Sequence, residues 1–314
     1  MQDASRQYRA LALLGVVMVL WAGNSIIGRA VRLEVPPLTL AWVRWTGASL
    51  LLLPFAWGPL RRDWPAIKRH WVPVLLLGLL GIATFNSLLY TGLRYTTATN
   101  ALLLQAAIPA AVVLLDRLFF GTRSPLVQNL GVAASIVGVA AIVFEGDPAR
   151  ALELHFGAGD LLVLASVAVW ALYTVLLRLR PAVAPISFVA ATFLVGAVVL
   201  APFAANEWLS GQRIVWGPGV LGAFAYVCVL PSIAAYFMFN HATQVVGAAR
   251  AGLAITLMPI FGAFLSAALL GEKLHTYHFA GMAMILAGIA LSALAMRGQA
   301  GAGADAAPRL GEGA

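Results

Sequence analysis

The chain has little with which to face water. Only 10% of its 314 residues are charged, 61% are apolar, and the mean hydropathy is +0.90. A soluble domain carries about 25% charged residues, so a solvated surface all round is excluded. One cysteine, Cys228, rules out an intrachain disulfide and a Cys-based metal centre. His275-x-x-His278 lacks a third ligand in register and reads as loop chemistry, not metal. No cofactor is expected. There is no Walker loop, Gly-x-Ser-x-Gly, HExxH or TVGYG, which argues against ATP-driven pumping, hydrolysis and potassium conduction. All twelve acidic residues fall in loops, tails or the ends of apolar stretches. None sits at mid-membrane, where an ion-coupled site keeps one.

What is present is a series of apolar stretches long enough to cross a hydrocarbon core of about 30 Å. They predict spans at 11–29, 37–57, 72–93, 96–118, 124–144, 159–179, 184–205, 218–240, 244–270 and 276–296. The expected class is an all-α integral membrane protein, its surface facing a lipid bilayer. The apolar run after residue 10 has no small-residue cleavage site, so a cleaved signal is not expected. The net charge of +8 is spread over short loops, which argues for topology-setting charge and against nucleic acid.

The second half repeats the first. An offset of 150 carries Pro109 to Pro259, Gly121 to Gly271, Gly131 to Gly281 and Gly138 to Gly288; an offset of 149 carries Trp21 to Trp170. The expected domains are 1–147 and 148–296, each a five-helix repeat, with a disordered Gly/Ala-rich tail at 297–314. Five is odd, so the second copy must enter the membrane inverted relative to the first. Inverted repeats are a mark of secondary transporters, with the substrate bound where the copies meet. With the N-terminus inside, the outer loops hold six basic residues (Arg29, Arg32, Arg94, Arg150, Arg213, Lys273), Arg44 and Arg250 lie within spans, and the other twelve are inside. That bias places both termini in the cytoplasm.

Polar residues within the spans are the candidate site. Trp21, Asn24 and Ser25 share one face of helix 1 with Gly28; Trp170 and Tyr173 occupy the matching face of its copy. Asn86 and Tyr90 on helix 3 correspond to Tyr236 and Asn240 on helix 8. Such groups either bridge helices, at about 0.6 kcal/mol each, or enclose a cavity whose rings and amides suit an amphipathic metabolite. Gln105 precedes Pro109, and Pro259 repeats that break; both prolines are candidate gates or ordinary packing features. Arg44 lies about 10 Å along helix 2. It either snorkels to the outer interface or meets a carboxylate on the substrate.

These features resemble the drug/metabolite transporter superfamily, specifically its EamA-type members. The resemblance rests on LWAGNSIIGRAV (20–31), ALLLQAAIPAAVVLLDRLFFG (101–121) and its partner AGLAITLMPIFGAFLSAALLGEKL (251–274). The glycine pattern NLGVAASIVGVAAIV (129–143), repeated as FAGMAMILAGIALSA (279–293), belongs to it as well. It implies ten helices in two repeats, a bacterial inner-membrane location and export of small metabolites including amino acids; the aromatic lining puts an aromatic amino acid first. A monomer is expected. Family members often carry Glu at the end of the fourth helix and of its copy; here only Glu272 does, the first repeat reading Gly121-Thr122. Without a mid-membrane acid, transport is expected to run down the substrate gradient. The alternatives are a proton-coupled drug or nucleobase exporter using Asp160 or Asp116, and a membrane enzyme or scaffold.

Overall fold

A computed structural model describes residues 2–121, 126–147, 149, 157–246, 254 and 257–305, and they are helical throughout, with no strand among them. The helices are α1 (Gln2–Ala30), α2 (Pro37–Arg69), α3 (Trp71–Gly92), α4 (Ala98–Gln105), α5 (Ile108–Phe120), α6 (Leu126–Val143), α7 (Ala158–Leu176) and α8 (Pro185–Leu209). Then come α9 (Pro218–Val229, continuing through Leu230–Ala234 into Ala235–Val246), α10 (Met258–Leu270) and α11 (Thr276–Asp305). Among the described residues, six helices are long and apolar enough to cross a membrane. A seventh span is the pair α4–α5, bent by 42°. Three apolar helices, Asn129–Val143, Met258–Leu270 and Thr276–Leu291, are shorter. The protein is a multi-pass membrane protein.

Its exterior confirms the solvent. Leu118, Val198 and Phe264 are 73%, 71% and 69% exposed, an arrangement acyl chains accept and water penalises. The interior relies on small side chains that let helices approach closely. α6 and α11 cross antiparallel on their glycines: a Cβ at Gly138 would meet Gly281 O at 2.6 Å, and Gly288 lies against Gly131 and Ser135. α1 packs on α9 and α10, while α7 packs on α3 and on α4–α5.

α2 and α8 also run antiparallel, and each is capped by the other's far end. Glu207 of α8 accepts from Leu38 N (3.0 Å), Thr39 N (2.7 Å) and Thr39 Oγ1 (2.8 Å) at the start of α2. Asp63 of α2 accepts from Ala184 N (2.9 Å) at the start of α8. Each carboxylate thus satisfies helix-terminal N–H groups that lack intrahelical partners.

Several boundaries differ from expectation. α2 runs to Arg69 through Pro54, Pro59 and Pro65 instead of ending at 57. At 1.5 Å per residue it is about 50 Å long, more than a hydrocarbon core of about 30 Å requires, and Trp57 and Trp64 in its second half are exposed. At Pro109 the fourth span is broken, as the break read at that proline implies, with a bend of 42°. Pro109, second residue of α5, has no N–H to offer the Gln105 carbonyl, and Ala106 and Ala107 bond tightly back to Leu103 O and Leu104 O. Pro259 is likewise the second residue of α10. α9 passes the expected end at 240 and reaches Val246. The helix α11 extends through Asp305, past the expected span end at 296. Arg250 and residues 306–314 lie outside the described residues.

Candidate polar centre

Arg44 sits at the middle of the bundle, 7% exposed. It does not snorkel; its guanidinium is enclosed by four elements. Nε donates to Ser232 Oγ (2.9 Å) on α9; Nη1 reaches Asn24 Oδ1 (2.9 Å) on α1, Asn86 Oδ1 (2.8 Å) and Tyr90 Oη (3.1 Å) on α3. Tyr90 Oη in turn donates to Asn24 Oδ1 at 2.6 Å. The guanidinium carbon lies 4.3 Å from the centroid of the Trp45 ring, within cation–π reach. Every one of these partners is neutral, and Arg44 forms no ion pair among the described residues. Nη2 donates to none of them. Trp45 Nε1 is also buried without an acceptor.

Local backbone irregularities build this centre. α3 and α9 each contain a π-helical turn at corresponding positions, Leu79–Thr84 and Leu230–Ala234, a feature that recurs at functional sites. Asn86 Nδ2 is anchored on Ile82 O (3.0 Å) within the first. In the second, Pro231 supplies no N–H to Val227 O, and the Ser232 hydroxyl takes that acceptor at 2.8 Å. Trp21 Nε1 donates to Pro231 O at 3.1 Å. Gly28 makes room for the Tyr90 ring, which a Cβ there would meet at 2.8 Å.

The structure therefore brings Asn24, Arg44, Asn86 and Tyr90 into one hydrogen-bonded group. Ser25 joins Gln105 beside it: Gln105 Nε2 donates to Ala101 O (3.1 Å) and Ser25 Oγ (3.4 Å). Trp21 packs against Phe239 in a tilted pair, centroids 5.3 Å apart. Trp170 lies against Phe85 (4.7 Å) and Tyr173 (5.0 Å), and Tyr173 covers Gly81. The two tryptophans are thus in separate aromatic groups. Tyr236 lines a small apolar recess beside Ser232 with Leu52, Ile186, Val189, Ile233 and Phe237. The side chain of Asn240 lies outside the described residues. Sequence reasoning missed Ser232 and Trp45. Ser232 stands one turn before Tyr236 on the same face, a spacing that marks it; the cation–π contact of Trp45 with its neighbour leaves no sequence signal.

Acids named in the sequence as span-end residues have specific partners across the bundle. Glu272 accepts from Ala98 N (2.9 Å), Thr99 N (2.9 Å) and Thr99 Oγ1 (2.8 Å), capping α4, with Arg29 Nε 3.9 Å away. Asp160 is 7% exposed in the first turn of α7. At the opposite end, Asp116 of α5 pairs with Arg178 beyond α7. No group of three or more metal-capable side chains occurs among the described residues.

Comparison with known proteins adds the following. The profile of the EamA-like transporter family matches residues 9–144 and again 157–294. The uncharacterized transporter YyaM of Bacillus subtilis (strain 168) is 26% identical over 284 residues, 89% of this chain and 91% of its own. An uncharacterized transporter of Archaeoglobus fulgidus is 28% identical over 284 residues, 89% and 96% of the two chains. The inner membrane protein YtfF of Escherichia coli (strain K12) is 23% identical over 307 residues, 88% and 94%. A crystal structure 20% identical superposes with a TM-score of 0.57 over 92% of this chain and 98% of that one, a likeness of fold.

Proposed function

The chain belongs to the EamA-like transporter family, and from that premise we propose that it exports small carboxylate-bearing metabolites, neutral amino acids first, across a bacterial inner membrane. One observation carries the reading: among the described residues, a buried guanidinium at the centre of the bundle has neutral partners only, and none of them engages Nη2. A buried cation held this way is costly unless an anion completes it, and a planar guanidinium matches a carboxylate in two-point geometry. Trp45, tilted against Phe193 at 4.6 Å, and Trp21 offer apolar ring surfaces beside it, which favours an aromatic side chain on the substrate. The same charge repels cationic drugs, which weighs against the drug-exporter alternative. Among the described residues no carboxylate pairs with Arg44, which favours a carrier whose centre binds the substrate without a coupling ion.

The carrier works by alternating access between two inverted five-helix repeats, ten spans in all, with both termini cytoplasmic. Reciprocal contacts support this reading. Glu207 caps α2 as Asp63 caps α8, Gly138 meets Gly281 as Gly288 meets Gly131, and these equivalent helices run antiparallel. The test is counterflow into liposomes containing the purified protein, across a panel of amino acids and the amines that lack only their carboxyl group. Uptake of the acids and not the amines is expected; equal uptake of both removes Arg44 as the anchor.

A further inference from the structure

Among the described residues Asp160 and Glu207 are buried within the bundle and Glu272 is partly buried; the two glutamates have an evident structural task. Glu207 and Glu272 each accept two backbone N–H groups and a threonine hydroxyl at the start of a helix. Asp160 does not. Its Oδ1 accepts only from the Thr96 hydroxyl and, at 3.5 Å, from Asn100 Nδ2, both neutral and both at the start of α4. It has no cation within ion-pair distance among the described residues.

Asn100 continues the chain of contacts. Its Oδ1 lies 2.9 Å from His278 Nε2 on α11. His278 Nδ1 accepts from the His275 backbone N–H at 3.0 Å, so Nε2 carries the ring proton and donates to Asn100. Thr96, Asn100, Asp160 and His278 are all buried. Among the described residues, the charged and titratable groups around them are Glu145 just after α6, which repels Asp160, Tyr277 against the His278 ring, Tyr95 beside Gly159, His275 and Glu272 before α11, and Arg29 at the end of α1. Arg29 is occupied by Leu93 O, Arg94 O and Glu272. The helices are in backbone contact here: a Cβ at Gly159 would stand 2.6 Å from Thr96 N. Among the described residues, α7 and the start of α4 are closely packed at this end.

We propose that Asp160 is a proton-binding site that latches this end closed, with Asn100 transmitting its state to α11 through His278. An ionised carboxylate buried among neutral donors is far costlier than the neutral acid. The packed arrangement of α4, α7 and α11 is therefore the proton-bound one. When the proton leaves to water at this end, the carboxylate draws water in and the helix ends part. By linkage, the ratio of open to closed rises by up to roughly tenfold per pH unit over which the group titrates. The proposal does not depend on what the carrier transports.

Infrared difference spectroscopy on the purified protein in lipid, stepped from acid to alkaline pH, reads the proton directly. Spin labels on Y95C and F279C, both exposed positions on a Cys228→Ser background, read the separation. The wild type is expected to lose a carboxylic-acid C=O band as the label distance lengthens. Asp160→Asn, a neutral isostere, loses the band and holds the short distance at every pH, while Asp116→Asn keeps both responses. Asn100→Ala keeps the band and loses the distance response. A band that survives Asp160→Asn, a wild-type distance indifferent to pH, or an Asn100→Ala response like wild type overturns the proposal.

Discussion

Arg44→Met removes a buried cation while leaving a long side chain against Trp45, so it separates binding from folding. On the folding side, Asn24 Oδ1 keeps the Tyr90 hydroxyl as donor, and Ser232 keeps Val227 O as acceptor. Asn86 Oδ1 alone loses its donor, at about 1–3 kcal/mol. Against that stands relief from an unpaired buried charge, whose desolvation costs several kcal/mol. The variant should therefore melt within about 2 kcal/mol of wild type, on the stable side if anything. On the binding side, a hydrogen bond to a charged group contributes about 1.5–3 kcal/mol. At 1.4 kcal/mol per decade, each lost contact to a carboxylate weakens affinity roughly 10- to 150-fold. The assays are thermal unfolding in detergent and counterflow per folded molecule. A variant that melts more than about 3 kcal/mol below wild type yet transports normally would show that Arg44 is a structural strut, and the reasoning would fail.

Other consequences are structural. Glu272→Ala leaves the start of α4 without three donations to its carboxylate and should cost about 2–4 kcal/mol in thermal unfolding; Glu207→Ala should do the same at α2, with Glu207→Gln recovering part. Gly138→Val should force α6 from α11 and reduce monodisperse yield sharply, whereas Gly15→Val, with nothing within 4 Å, should not. Gly121→Ala and Gly271→Ala, at φ 65° and 66° in open surroundings, should each cost only the left-handed strain of about 1 kcal/mol. Breaking the partly exposed Asp116–Arg178 pair with Arg178→Gln should change stability by less than about 1 kcal/mol.

The physical reasons for what the sequence reveals differ by feature. Long apolar runs and glycines at a seven-residue spacing are local signals, and the membrane solvent leaves few alternatives to helices. The shared face of Trp21, Asn24 and Ser25 follows from helical periodicity alone. Partnerships across the bundle do not: Arg44 and Ser232 are 188 positions apart, and only the packed helices bring them together. The π-turns of α3 and α9 have no periodic signature. Acids at span ends read as solvated because burial there depends on neighbouring helix starts; Asp160 looks like a loop residue until Thr96 and Asn100 close over it. The extension of α2 past residue 57 carries Pro59, Pro65 and the charged run Arg61, Arg62 and Asp63, which read as the end of an apolar span.

The most direct measurement is the binding of phenylalanine and of phenylethylamine, which lacks only the carboxyl group, to purified wild type and to Arg44→Met. If the central guanidinium anchors a carboxylate, wild type binds the acid at least about tenfold more tightly than the amine, and the preference vanishes in Arg44→Met. Equal binding of the two ligands by wild type, or a preference that survives the substitution, contradicts the account.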